Sequence, residues 1–148
     1  DMSLSERLNE DMKQAMKSQD KFRLSVIRMI RSSIKNAEID RRKTLDDNEV
    51  LDVLSREIKQ RKDSLQEFEK AGRDDLVENL KKEIAIIAEY MPQPLSEEEL
   101  KAIVRQTIQE TGASSKADMG KVMSALMPQV KGRADGKLVN QLVQQFLQ

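Results

Sequence analysis

Apolar residues recur along this chain at spacings of three and four, the period of an amphipathic helix, and no stretch alternates as a strand would. Leu4, Leu8, Met12, Ala15 and Met16 form the first stripe, and Ser3-Leu4-Ser5-Glu6 before it fits a capping box. This predicts a helix over 3–18. After the polar break Ser18-Gln19-Asp20, with Asp20 as N-cap, Ile27, Ile30, Ile34 and Ala37 predict a second helix to about 41. Thr44-Leu45-Asp46-Asp47 reads as the cap of a third, over 46–71, with Leu51, Leu54, Ile58, Leu65 and Phe68 as its stripe and Arg61 interrupting at a core-phase position. Gly72 is the expected end of that helix. Val77, Leu80, Ile84, Ile87 and Met91 then predict a fourth over 74–91, antiparallel to the third across the short Gly72 turn.

Helix breakers are unevenly placed. Residues 1–71 hold no Gly or Pro, whereas Gly112, Gly120, Gly132, Gly136, Pro92, Pro94 and Pro128 punctuate the rest. Met91-Pro92-Gln93-Pro94 is the clearest boundary, because proline fixes its own φ and pushes the preceding residue out of the helical region. Ser96-Glu97-Glu98-Glu99 opens a fifth helix ending near Gly112. Ser115-Lys116-Ala117-Asp118 opens a sixth that is expected to end by Pro128. Leu138, Val139, Leu142, Val143 and Phe146 mark a seventh over 135–147. The expected fold is all-α: a long-helix bundle or hairpin domain over 1–92 and a small three-helix domain over 93–148.

Composition narrows the chemistry. The 148 residues include no His, no Cys and no Trp. The commonest general base is missing, as are the usual zinc ligands and thiol nucleophiles. Phe22, Phe68, Tyr90 and Phe146 are too few for a base-stacking platform. No apolar run approaches the ~20 residues of a membrane span. Asp1 before Met2 reads as a cloning remnant, the start is amphipathic without a signal peptide, and the expected location is cytoplasmic.

Net charge is zero, with 26 cations and 26 anions, yet the parts differ. Lys21 to Lys43 holds eight basic residues against two acidic, a net of +6, and Asp46 to Asp52 adds −4. Lys17, Lys21, Arg28, Arg31, Lys35 and Arg42 share one helical face. Two readings stand: a surface for an anionic partner such as RNA backbone, with Arg28, Arg31 and Lys35 as candidate contacts, or a solvated face paired with neighbouring carboxylates. From Lys116 to Lys137, five basic residues oppose two acidic, a net of +3. Three of those cations surround the start of the last helix, in Lys131-Gly132-Arg133-Ala134-Asp135-Gly136-Lys137, where N–H groups and clustered cations suit a phosphate. The alternative is a plain turn made by Gly132 and Gly136 and capped by Asp135.

Catalytic patterns are weak. Ser32-Ser33-Ile34-Lys35 and Ser18-Gln19-Asp20-Lys21 both fit S-x-x-K, but neither has the companion motifs. The acidic runs at Asp46/Asp47, Asp74/Asp75 and Glu97 to Glu99 each open a helix, where capping and dipole already favour them. Met119, Met123 and Met127 read as pliable core. No catalytic residue, metal site or cofactor is expected.

Asp118-Met119-Gly120-Lys121-Val122-Met123, then Met127-Pro128, then Lys131 to Asn140 through Gly-Arg-Ala-Asp-Gly-Lys, resembles the signature of the GatB/YqeY family. The whole chain, including the Met91-Pro92-Gln93-Pro94 junction, is similar to the stand-alone YqeY proteins. In the family, this signature ends the B subunit of glutamine-dependent tRNA amidotransferases, where it helps hold the outer body of the tRNA. The resemblance implies a two-part helical, non-catalytic module linked to tRNA. It implies Lys121, Lys131, Arg133 and Lys137 as RNA contacts, Gly120, Gly132 and Gly136 as backbone-geometry residues, and Asn140 as a brace. Two alternatives stand beside this reading. One is a component of a carbon–nitrogen ligase with glutamine as amide donor, active only with amidotransferase or synthetase-type partners. The other is a protein-interaction adaptor that uses the hairpin around Arg61.

Overall fold

A computed structural model of the chain describes residues 1–147 and is all-helical. Residue 148, the expected end of the second domain, lies outside the described residues. The helices are α1 (Leu4–Lys17), α2 (Lys21–Arg41), α3 (Asp47–Lys70), α4 (Asp74–Ala88), α5 (Glu97–Thr111), α6 (Met119–Val130) and α7 (Gly136–Phe146), with a 3₁₀ turn at Lys116–Asp118 before α6. The chain divides into two compact units, the first ending at Met91 and the second beginning at Pro92.

In the first unit, the ends of the helices are set by local hydrogen bonds. Ser3 Oγ accepts from the Glu6 N–H at 3.1 Å, one half of the expected box. The Asp20 carboxylate accepts from the Arg23 N–H at 3.1 Å. Asp20 also donates its own N–H to the Ala15 carbonyl at 3.0 Å, so one residue closes α1 and opens α2. The intervening Gln19 is left-handed, at φ 59. α2 ends in the same way, with Arg42 at φ 55 and the Lys43 N–H on the Glu38 carbonyl at 3.2 Å. A side chain in this conformation costs about 1–2 kcal/mol, which the closing hydrogen bonds offset. The cap of α3 differs from expectation. Asp46 takes the Glu49 N–H at 2.9 Å and Glu49 reaches back to the Asp46 N–H at 3.1 Å, so the box starts at Asp46 and not at Thr44. Gly72, at φ 69, ends α3 as expected. α4 stops at Ala88, short of Met91, because Tyr90 and Met91 turn to tighter i→i−3 bonds on Ile87 and Ala88.

Leu8, Ile27, Ile30, Val50, Leu54 and Ile87 are buried at the centre of this unit. The predicted stripe of α3 holds only at Leu54 and Ile58: Val50 and Val53 are buried in place of Leu51, and Leu51, Leu65 and Phe68 are half-buried and lie outside the buried cluster. That cluster takes nothing from α3 beyond Ile58 or from α4 before Ile86, so the far part of the hairpin packs on itself. Arg61 stands at the transition. Its guanidinium donates to Glu57 at 2.6 Å and to Glu83 at 3.1 Å, and the Ser33 hydroxyl donates to Glu57 at 2.5 Å. Three helices thus meet at one cation with an 11% exposed side chain. The apparent flaw in the stripe is an internal ion network.

In the second unit, Leu100, Val104, Val122, Leu126, Val139 and Val143 form the core. Ser96 and Glu99 make the predicted reciprocal box, at 3.1 Å each way. The Asp118 carboxylate accepts from the Ser114 N–H at 2.9 Å. α6 does not end by Pro128: it runs through to Val130, and the Lys131 N–H reaches the Met127 carbonyl at 2.9 Å beyond the proline. Thr107, buried between α5 and α6, donates to the Ile103 carbonyl at 2.8 Å and accepts from Gln129 at 3.2 Å. Met119 and Met123 pack against the core, but Met127 is exposed.

Removing the Arg61 head group leaves two half-buried carboxylates without their cation. Arg61→Ala is expected to cost about 3 kcal/mol in urea unfolding, and Arg61→Met with Glu57→Gln and Glu83→Leu to recover at least half of it. Hydrogen bonds from the capped backbone hold Glu49, Glu99 and Asp118 below the usual carboxylate range. Their contribution to stability is complete above the unfolded pKa values near 4 and is lost as pH falls through the lower folded ones. Urea midpoints between pH 5 and pH 3 are expected to fall less steeply for Glu99→Gln than for the parent.

Candidate anion-binding surfaces

In the first unit, α1, α2 and the connection after α2 enclose an open groove of about 600 Å³. Arg28, Arg31 and Lys35 line it from α2, with Ser5 from α1, Ser32 and Asn36 from α2, and Thr44 from the connection. A shallower hollow of about 450 Å³ continues past Arg28 and Ser32 to Lys21. Among the described residues, none of Lys17, Lys21, Arg28, Arg31, Lys35 and Arg42 has a carboxylate within 4.0 Å. On the other faces of α2 the opposite holds. Arg23 pairs with Glu89 at 2.9 Å and Arg41 with Glu49 at 3.5 Å. The solvated face of paired charges is therefore not what α2 presents along this side. Arg31 is steadied by the Met12 sulfur at 2.8 Å. Glu38 is the one carboxylate in the groove wall, and it accepts from the Leu45 N–H at 3.0 Å.

The Ser5, Asn36 and Thr44 wall was not visible in the sequence, because it is assembled from segments with no shared period. The same is true of a latch at the other side of α1. Tyr90 donates its hydroxyl to Asp11, Arg7 lies 4.5 Å over its ring, and Arg7 also donates to the Glu89 carbonyl at 3.2 Å. Burial, then the Asp11 carboxylate, pushes the Tyr90 phenol upward, so it stays a donor.

In the second unit, the predicted cations separate into two places. Lys131, Arg133 and Lys137 surround the turn between α6 and α7, where Gly132 is left-handed at φ 77 and Asp135 accepts from the Lys137 N–H at 3.1 Å. Lys121 lies ten residues before Lys131, at the far end of α6, about 15 Å away along the helix axis. Gly120 sits inside that first turn of α6, and Gly136 starts α7. Lys131 and Lys137 are exposed. Arg133 is half-buried and also works internally: its Nε donates to the Gln93 carbonyl at 3.1 Å, and its own carbonyl accepts from the Leu95 N–H at 2.9 Å. It ties the turn to the segment leading into α5. Asn140 accepts from Gln144 at 2.8 Å, one turn further along α7, and makes no side-chain hydrogen bond back to the turn among the described residues.

The S-x-x-K serines are occupied or open: Ser33 donates to Glu57, Ser18 to the Ala15 carbonyl at 3.4 Å, and Ser32 faces the groove. The acidic runs act at helix starts. Asp46 caps α3, Asp47 accepts from the Leu4 N–H at 3.0 Å, and Glu99 completes the box of α5.

The structure thus defines an all-helical protein in which two sets of cations are left open to solvent while most others are paired. The chain belongs to the YqeY family: the family model described as Yqey-like protein matches residues 5–147. It is similar to proteins named "Altered inheritance of mitochondria protein 41, mitochondrial". The Kluyveromyces lactis protein is 40% identical over 133 residues, which cover 88% of this chain and 68% of that protein. The one from Pyrenophora tritici-repentis is 31% identical over 144 residues, 95% of this chain and 79% of that protein. The one from Lachancea thermotolerans is 44% identical over 111 residues, 73% of this chain but only 59% of that protein's length. The expected cytoplasmic location is corrected by these relatives, whose names are mitochondrial. It rested on an amphipathic start, and the first residues of a sequence do not decide a compartment.

The internal role of Arg133 separates it from its neighbours. Arg133→Ala is expected to lower stability by about 1 kcal/mol, whereas Lys131→Ala and Lys137→Ala leave thermal melts unchanged within about 0.5 kcal/mol.

Proposed function

We propose that this chain is a non-catalytic helical module that binds tRNA through its phosphates. The observation that carries the reading is the pairing pattern. Lys131 and Lys137 at the α6–α7 turn have no carboxylate within 4.0 Å among the described residues, nor have Arg28, Arg31 and Lys35 on α2, while Arg23 and Arg41 on the other faces of α2 are matched. Unmatched cations keep their full field for an external anion. The Gly-Arg-Ala-Asp-Gly-Lys stretch, with its resemblance to the tail of the amidotransferase B subunit, supports tRNA as that anion. Any amide-transfer chemistry is assigned to partners, in line with the lack of His and Cys in the chain.

Phosphate contacts release counterions, so affinity must fall with salt. For about five contacts, labelled tRNA is expected to lose roughly 10²–10³ in affinity between about 50 and 200 mM salt. The combined Lys131→Ala/Lys137→Ala variant is expected to bind more weakly than the parent and with a shallower salt dependence. No binding at the lower salt overturns the reading, as does glutamine turnover by the purified chain alone.

A further inference from the structure

We propose that the groove between α1 and α2 is a second and separate RNA contact, one that grips the sugar–phosphate backbone of a base-paired stem without reading its bases. The inference rests on the RNA-binding reading for its choice of RNA, but its geometry belongs to the first unit alone. Lys21, Arg28, Arg31 and Lys35 follow one side of α2 and span about 21 Å along its axis. A rigid row of that kind matches a regular backbone better than a flexible strand. Between the cations, Ser5, Ser32, Asn36 and Thr44 supply neutral hydrogen-bonding groups of the type that meet phosphate and ribose oxygens.

What the groove lacks decides between duplex and single strand. Recognition of unpaired bases depends on aromatic side chains on which they stack. No aromatic residue lines the groove or the adjoining hollow, and Tyr90 is buried elsewhere in the unit. The groove therefore has the means to hold charge and hydroxyls but, among the described residues, no aromatic face on which a splayed base would stack. Its concave form also fits a convex backbone ridge better than a flat anionic membrane.

The test uses the full chain and three probes: tRNA, a short RNA hairpin, and a single strand of the same composition. Arg28→Gln/Arg31→Gln/Lys35→Gln is expected to bind the hairpin at least tenfold more weakly at low salt, with the slope of log affinity against log salt shallower by about 2–3. Because Arg31 also touches Met12, Arg28→Gln/Lys35→Gln is measured beside it and is expected to lower the slope by about 2. Lys59→Gln/Lys70→Gln/Lys81→Gln removes the same charge from the hairpin α3–α4 and is expected to behave like the parent. The parent is expected to prefer the hairpin to the single strand. If the parent binds tRNA and the groove variants bind it unchanged, the groove proposal falls while the tRNA reading stands on the α6–α7 turn. If the hairpin binds and tRNA does not, the groove proposal stands and the tRNA reading falls. Equal binding of hairpin and single strand overturns the proposal, as does binding to vesicles of phosphatidylcholine and phosphatidylglycerol without binding to the hairpin.

Discussion

A half-buried guanidinium must be neutralised where it sits, and the first unit is arranged around meeting that need. Arg61 has Glu57 one turn back on its own helix and Glu83 on the returning arm, while Ser33 brings α2 to the Glu57 carboxylate. An apolar residue at this position would tolerate sliding between α3 and α4. An ion pair with a fixed fork geometry does not, so register in the hairpin is set by charge where the apolar cluster stops. Beyond it, the arm is held only by its own facing side chains.

The same accounting of charge explains why the whole-chain value misleads. Zero net charge averages a structure in which some cations are consumed internally and others are not. Arg23, Arg41, Lys43 and Arg61 are tied to carboxylates that the fold needs at its joints. Those along the other side of α2 have no carboxylate within 4.0 Å among the described residues. Function, on this view, is carried by the residue of charge left after folding, not by the sum over the sequence.

Most of the helices were legible in the sequence because their stripes and caps are local. Asp20, Ser96, Gly72 and Gly112 each act within four residues, and each sits where pattern reading puts it. The misses have physical causes. Arg42 turns the chain without being a glycine, so composition gives no sign of the left-handed end. Pro128 looks like a stop but falls where only one bond is lost. Leu65 and Phe68 keep the period of a buried stripe along an arm that leaves the core. For the site, the basic residues were visible as a row, but whether carboxylates from α3 and α4 reach them depends on packing. Arg133 was visible as a cation in a turn, and only the fold shows it holding the segment before α5.

Asp20 leaves a further mark on the groove. By ending one helix and starting the next within the same residue, it leaves no slack between α1 and α2, whose facing sides are the groove walls. A cleft with walls joined this tightly is already shaped before anything enters it. If an anion binds there as proposed, little ordering entropy opposes association, and encounter is governed by diffusion and by the long-range field of the open cations. Under the proposed role, such a surface is suited to rapid capture: a hand that is always open rather than one that closes.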